Sequence, residues 1–129
     1  MIQKELKAVE AFHNAFKIGC ANQPTVDLPD NILDLRFKLM EEENLEYLEA
    51  AKNKDMVEVA DALGDMLYIL CGTILTHGMQ HKIEEVFDEI QRSNMSKLGA
   101  NGEPIYREDG KVMKGPNYFK PNIGKILKQ

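Results

Sequence analysis

Two stretches in the middle of this chain place carboxylates on faces that helical periodicity assigns to the interior, and few folds tolerate that. The first stretch closes with Glu41-Glu42-Glu43-Asn44-Leu45-Glu46. Leu35 and Leu39 stand four apart, and their line continued at helical spacing reaches Glu42, Glu43 and Glu46. The apolar stripe turns acidic without leaving its face. In the second stretch Val57, Val59, Ala60, Leu63, Met66, Leu67, Ile69 and Leu70 leave almost no polar side, which predicts a helix buried nearly all round. Yet Glu58, Asp61 and Asp65 share one face of it at i, i+3 and i+7. A buried carboxylate must lose its charge, meet a cation or bind a metal. Oxygen donors with no His or Cys beside them favour a hard ion, Mg²⁺ or Mn²⁺. The competing reading is a solvated helix face. It suits Glu41 and Glu49, and it fails for Asp61 and Asp65, because acidic residues are rarely buried unpaired.

The rest of the chain frames these two helices. Ile2 to Ile18 reads as a first helix with Ile2, Leu6, Val9 and Phe16 on its apolar face, Phe12 beside it, and Gly19 as its stop. His13 lies on that same face, where a lone histidine is more often a core or rim residue than a ligand. A loop with Pro24 and Pro29 follows, and Asp30 is the expected N-cap of a second helix running to about Lys52. Asn53-Lys54-Asp55 makes the turn, with Asp55 capping a third helix that runs to about His77 before Gly78. So short a connection makes the second and third helices antiparallel neighbours. Glu43, Glu46, Asp61 and Asp65 are then able to converge. A fourth helix, about Lys82 to Leu98, has the apolar line Ile83, Val86, Phe87 and Ile90, which continues into Asn94 and Lys97. Beyond Gly99 no helical period persists. Ile105-Tyr106-Arg107 and Lys111-Val112-Met113 flank the turn pair Asp109-Gly110, a short hairpin signal.

With 129 residues, 43% hydrophobic and 29% charged, the chain has material for one globular domain, residues 1–129, with a helical core over about 2–98. A net charge of −5 argues against broad contact with nucleic-acid backbone. Two cysteines, Cys20 and Cys71, suggest neither a disulfide framework nor a zinc site. No signal peptide precedes the first helix, and no apolar run reads as long enough to span a bilayer, so a cytoplasmic protein away from membranes is expected.

Taken together, Leu35-Arg36-Phe37-Lys38-Leu39, Glu42-Glu43-Asn44-Leu45-Glu46 and Asp65-Met66-Leu67-Tyr68-Ile69-Leu70-Cys71-Gly72-Thr73 resemble the all-α nucleotide pyrophosphohydrolase superfamily, in its MazG-like and phosphoribosyl-ATP pyrophosphohydrolase-like branches. Phe12-His13, Ser93-Asn94-Met95-Ser96-Lys97 and the run Asp109 to Tyr118 extend the resemblance. The superfamily pattern is Glu-Glu-x-x-Glu on one helix and Glu-x-x-Asp on the next. Glu58-Val59-Ala60-Asp61 fits the second half by letter, whereas the register through Asp65 puts Ala62 where the superfamily has Glu. Asp61 and Asp65 are the favoured pair and Glu58 the reserve. The resemblance implies a four-helix-bundle-type all-α fold with a short C-terminal hairpin or loop segment, about 99–121, that contacts phosphate. It implies Mg²⁺-dependent cleavage of a nucleoside triphosphate, or a related nucleotide, between the α and β phosphates. Glu43, Glu46, Asp61 and Asp65 would be metal ligands, and Glu42 or Glu43 would work on the attacking water. Arg36, Asn94, Lys97, Lys111 and Lys114 would meet phosphate, with His13 and Tyr118 also near the substrate. A homodimer or a dimer of dimers is implied.

Three other readings compete. One is the phosphoribosyl-ATP hydrolase of histidine biosynthesis; another is a nucleotide-binding sensor that has lost hydrolysis. The third, a carboxylate-bridged di-iron bundle, requires a Glu-x-x-His pair on each of two helices; Glu10 and His13 make one, and neither His77 nor His81 supplies a second.

Overall fold

The computed structural model describes all of residues 1–129, and the fold is all-α: five helices and no strand. The chain divides into two compact units, 1–81 and 82–129. The first holds α1 (Gln3–Ala15), α2 (Asp30–Lys52) and α3 (Met56–Thr76). α2 and α1 both pack on α3. The second holds α4 (Ile83–Met95), the tail and a short α5 (Ile123–Leu127) that the sequence pattern did not signal.

The three helices of the first unit end in the same way, with the chain turning through a left-handed residue. Only one of the three is the expected glycine. α1 stops at Ala15 because Lys17, at φ 59°, takes the left-handed position and Ile18 N–H reaches back to the His13 carbonyl. Gly19 is therefore not its stop. α2 ends through Lys54 at φ 55°, with Asp55 N–H bonded to the Ala50 carbonyl. Asp55 at once caps α3 by accepting from Glu58 N–H at 3.1 Å, as its position suggested. Gly78, at φ 68°, closes α3. At the start of α2 the capping residue is Pro29, which uses its backbone carbonyl alone, and Asp30 is the first helical residue, with its charge in the first turn.

α3 departs most from the sequence expectation. Its buried residues are Ala62, Cys71, Gly72, Ile74, Leu75 and Thr76, nearly all in its C-terminal third. Val57, Leu63, Leu67, Tyr68 and Leu70 are exposed. The reason is length. α1 has 13 residues and α3 has 21, so α1 spans roughly 20 Å of a helix about 32 Å long. On α1 itself the buried residues are Leu6, Val9 and His13, while Phe16 is exposed. The long apolar α3 also meets the length and composition of a membrane-crossing helix, with a mean hydropathy of 1.4, contrary to the expectation that no run is long enough. That alone is weak grounds for a span, and the carboxylates of Glu58, Asp61 and Asp65 on its N-terminal half weigh against one.

In the second unit α4 ends at Met95, three residues before Leu98, by tight turns from Ser96 N–H to Ser93 and from Lys97 N–H to Asn94. The hairpin signal becomes a single antiparallel bridge, Tyr106 to Val112, around Gly110 at φ 88°. The tail is held to α4 rather than frayed. Buried Ser93 donates to the Phe119 carbonyl at 2.8 Å, Phe119 N–H donates to Ser96 Oγ at 3.1 Å, and Arg92 lies 4.3 Å over the Phe119 ring. Asn122 N–H donates to Glu89 at 2.6 Å. Its Arg92 partner and this amide hold Glu89 down at about 2.

Candidate active site

The antiparallel α2–α3 hairpin aligns its residues in pairs. Asn53 and Asp55 flank the turn, and counting back along both helices from there sets Ala50 against Glu58, Glu46 against Asp61 and Glu43 against Asp65. A polar cleft of about 330 Å³ opens along this seam, lined by Glu46, Glu49, Ala50, Asn53, Asp55, Glu58 and Asp61. Glu43 sits one turn deeper, half-buried, and its Oε2 is shielded from solvent with no hydrogen-bond partner. Burial pushes its carboxyl up to about 7, helped by a hydrogen bond with Glu46 and the negative charges of Glu46, Asp65 and Asp61. The four carboxylates anticipated to converge thus share one electrostatic neighbourhood. In the positions they occupy, no three of them close round a single point as a metal shell would. The donors are all oxygen, the innermost lacks a partner, and the charges repel. This is the chemistry that a hard divalent cation satisfies.

The other anticipated residues are distributed differently. Asp61 and Glu58 are exposed and Asp65 half-buried, so Asp61 and Asp65 are not deep in the helix as expected; the residue buried there is Ala62. Glu42 is exposed, outside the cleft lining, one helical step of about 100° from Glu43. His13 and Arg36, expected near substrate, are core residues at 2% and 7% exposure. His13 Nδ1 lies 3.4 Å from Cys20 Sγ; burial and the nearby Arg36 charge lower its pKa. Arg36 spends its donors inside the fold, on Thr73 and Ile69. Gly72 is the clue that sequence reasoning passed over. A Cβ there would stand 2.6 Å from Arg36 Nη2 and 2.9 Å from His13 Nε2, so a glycine inside an apolar helix marks the crossing of three helices.

In the second unit Asn94 and Lys97 line a cavity of about 390 Å³ with Leu98, Pro104 and Val112. Lys111 is exposed on the hairpin beside Val112. Lys114 places its ammonium 4.8 Å from the ring centre of half-buried Tyr118. Gly115 holds this corner close: a Cβ would meet the Leu98 carbonyl at 2.2 Å.

Fold and site together define an all-α protein with a seam of carboxylate donors between two antiparallel helices. The chain belongs to the phosphoribosyl-ATP pyrophosphohydrolase family, whose model matches residues 9–94. It is a nucleotide pyrophosphohydrolase by family. The match takes in every seam carboxylate and stops at Asn94, so Lys97, Lys111, Lys114 and Tyr118 lie beyond it. No match was found among curated proteins.

The raised Glu43 carboxyl has a consequence for stability. The folded protein keeps this proton up to about 7, whereas the unfolded chain releases it near 4.5. Between those values the folded state binds more protons, so its stability falls as pH rises. In chelator, Glu43→Gln should gain melting temperature over wild type as pH is taken from about 4.5 to 7, a difference that differential scanning fluorimetry across that range will show.

Proposed function

We propose that this protein is a Mg²⁺-dependent nucleoside triphosphate pyrophosphohydrolase, cleaving a (d)NTP or related nucleotide between the α and β phosphates to give the monophosphate and pyrophosphate. The observation that carries the metal site is the partnerless Glu43 Oε2 among the charges of Glu46, Asp61 and Asp65. Those four side chains would hold Mg²⁺ or Mn²⁺, with Glu58 at the outer end of the cleft. When bound, such cations neutralise phosphate charge and help position water. Glu42, exposed beside Glu43, or Glu43 itself accepts the proton of the attacking water. Lys97, Lys111 and Lys114, with Asn94 and Tyr118, take the phosphate charge that remains; lysine serves here as a point charge. The whole chain, 1–129, works as one functional domain.

A homodimer, or a dimer of dimers, accompanies this reading. α2 and α3 leave Phe37, Leu45, Leu48, Leu63, Leu67 and Leu70 exposed, and an apolar groove of about 690 Å³ runs between the two helices. A second copy laid on this face would remove it from water.

A substrate panel tests the reading: canonical and modified nucleoside triphosphates and phosphoribosyl-ATP, with Mg²⁺ and with Mn²⁺. Turnover of triphosphates above phosphoribosyl-ATP supports it; turnover of phosphoribosyl-ATP alone makes this the histidine-pathway enzyme. Nucleotide binding without turnover of anything makes it a sensor. In the same assay Lys111→Ala and Lys114→Ala should each weaken nucleotide affinity by roughly 1–3 kcal/mol with little change in melting temperature. Unchanged calorimetric affinity in both would remove the tail from the site.

A further inference from the structure

Arg36 is a buried cation with no carboxylate bonded to it; its partners are a hydroxyl and a carbonyl of α3. Its Nε donates to Thr73 Oγ1 at 3.1 Å and its Nη2 to the Ile69 carbonyl at 3.0 Å. Thr73 Oγ1 in turn donates to that same Ile69 carbonyl at 2.9 Å. The three bonds form a closed ring in which the planar guanidinium fork meets two acceptors one helical turn apart on α3. Gly72 lets the fork in, since any side chain there would meet Nη2. An arginine so engaged has a fixed axial position on α3, because sliding α2 by one residue, about 1.5 Å, would break both bonds. Two turns along α2 from Arg36 comes Glu43, and one turn back along α3 from Ile69 comes Asp65. The carboxylate pair that the short turn places face to face is therefore held in axial register, two turns further on, by the ring.

We infer that the Arg36–Thr73–Ile69 ring is the register lock of the carboxylate seam, and that Arg36 is a positioning residue for the metal site rather than a phosphate contact. The inference rests on the metal reading proposed above. Apolar packing alone does not supply this constraint. Between α2 and α3 the aliphatic side chains Met40, Met66 and Leu67 line an open groove rather than a close-packed contact, and such side chains tolerate axial slip more readily than a bidentate fork. Groups bonded directly to metal ligands change affinity by about 10–100-fold; Arg36 bonds no ligand and acts through helix register, so the low end of that range is expected.

The test measures Mn²⁺ binding to the nucleotide-free full chain by calorimetry, beside hydrogen exchange at amides 39–46. Arg36→Lys keeps the charge and loses the fork, and Mn²⁺ affinity should fall about tenfold or more. Thr73→Val, nearly isosteric and without the hydroxyl, should lose about fivefold. Thr73→Ser restores the hydroxyl and should match wild type. Exchange at 39–46 should quicken in the first two variants and not in the third. Thr73→Val keeps the test decisive should Arg36→Lys fold poorly. Wild-type Mn²⁺ affinity in Thr73→Val or folded Arg36→Lys, with nucleotide affinity reduced, would overturn the lock and make Arg36 a phosphate contact. Should wild type itself bind no Mn²⁺, the metal reading fails, and exchange alone decides the register: unchanged protection in Thr73→Val then overturns the lock.

Discussion

Asp65→Asn should lower pyrophosphate release by at least about a hundredfold while leaving the fold intact. Asp65 is half-buried opposite Glu43, and its charge is among those that raise the Glu43 carboxyl. An amide in its place offers one neutral oxygen to a cation that needs anionic donors. Asp61→Asn should fail as severely. Glu58→Gln should cost much less, because Glu58 stands against Ala50 at the outer end of the cleft. Steady-state kinetics at saturating Mg²⁺ separate these cases. A dead Glu58→Gln beside an active Asp65→Asn would shift the site one turn toward the Asn53–Asp55 turn.

The largest loss of stability should come from Gly78→Ala, at the opposite end of α3 from the carboxylate seam. Gly78 has φ 68°, and a Cβ there would stand 2.1 Å from the Gln23 carbonyl oxygen. The loop from Phe16 to Pro29 is laid against the end of α3 at this point: Ala21 N–H bonds to the Leu75 carbonyl at 3.0 Å and Thr25 N–H to the His77 carbonyl at 2.9 Å. His77 Nδ1 donates to the Thr25 carbonyl at 2.8 Å and Gln80 Nε2 to the Ala21 carbonyl at 2.9 Å. Alanine would have to adopt a left-handed backbone and push away a segment held by four bonds. A loss of roughly 3 kcal/mol or more is expected, seen as a fall of about 10 °C in melting temperature. A fall of a degree or two would mean that the loop lifts off without cost.

How much of this was readable in advance depended on what set each feature. The ends of α2 and the antiparallel hairpin were legible because Pro29 and Asn53-Lys54-Asp55 are local signals. The opposition of Glu43 and Asp65 can be counted out from that short turn, whereas the ring that holds it two turns on carries no local signal. The end of α1 was not legible, because Lys17 occupies a position where sequence rules look for glycine. The exposure of Leu63 and Leu67 was hidden for a different reason. An apolar side chain records that it needs cover, and how far α1 reaches along α3 is a tertiary fact. Arg36 stood as a phosphate contact only through the resemblance; its burial against Gly72 and Thr73 is a tertiary fact that no local signal carries. α5 escaped notice because five residues carry no period. The hairpin was visible in Asp109-Gly110, but the serine clamp on Phe119 was not.

One product assay tests the proposed reaction most directly. A nucleoside triphosphate incubated with the full chain and Mg²⁺ is followed for pyrophosphate and orthophosphate at once, with and without excess chelator. Equimolar monophosphate and pyrophosphate, lost in chelator and restored by Mg²⁺ or Mn²⁺, is the predicted result. Orthophosphate as the only inorganic product, or undiminished release of pyrophosphate in chelator, would contradict it.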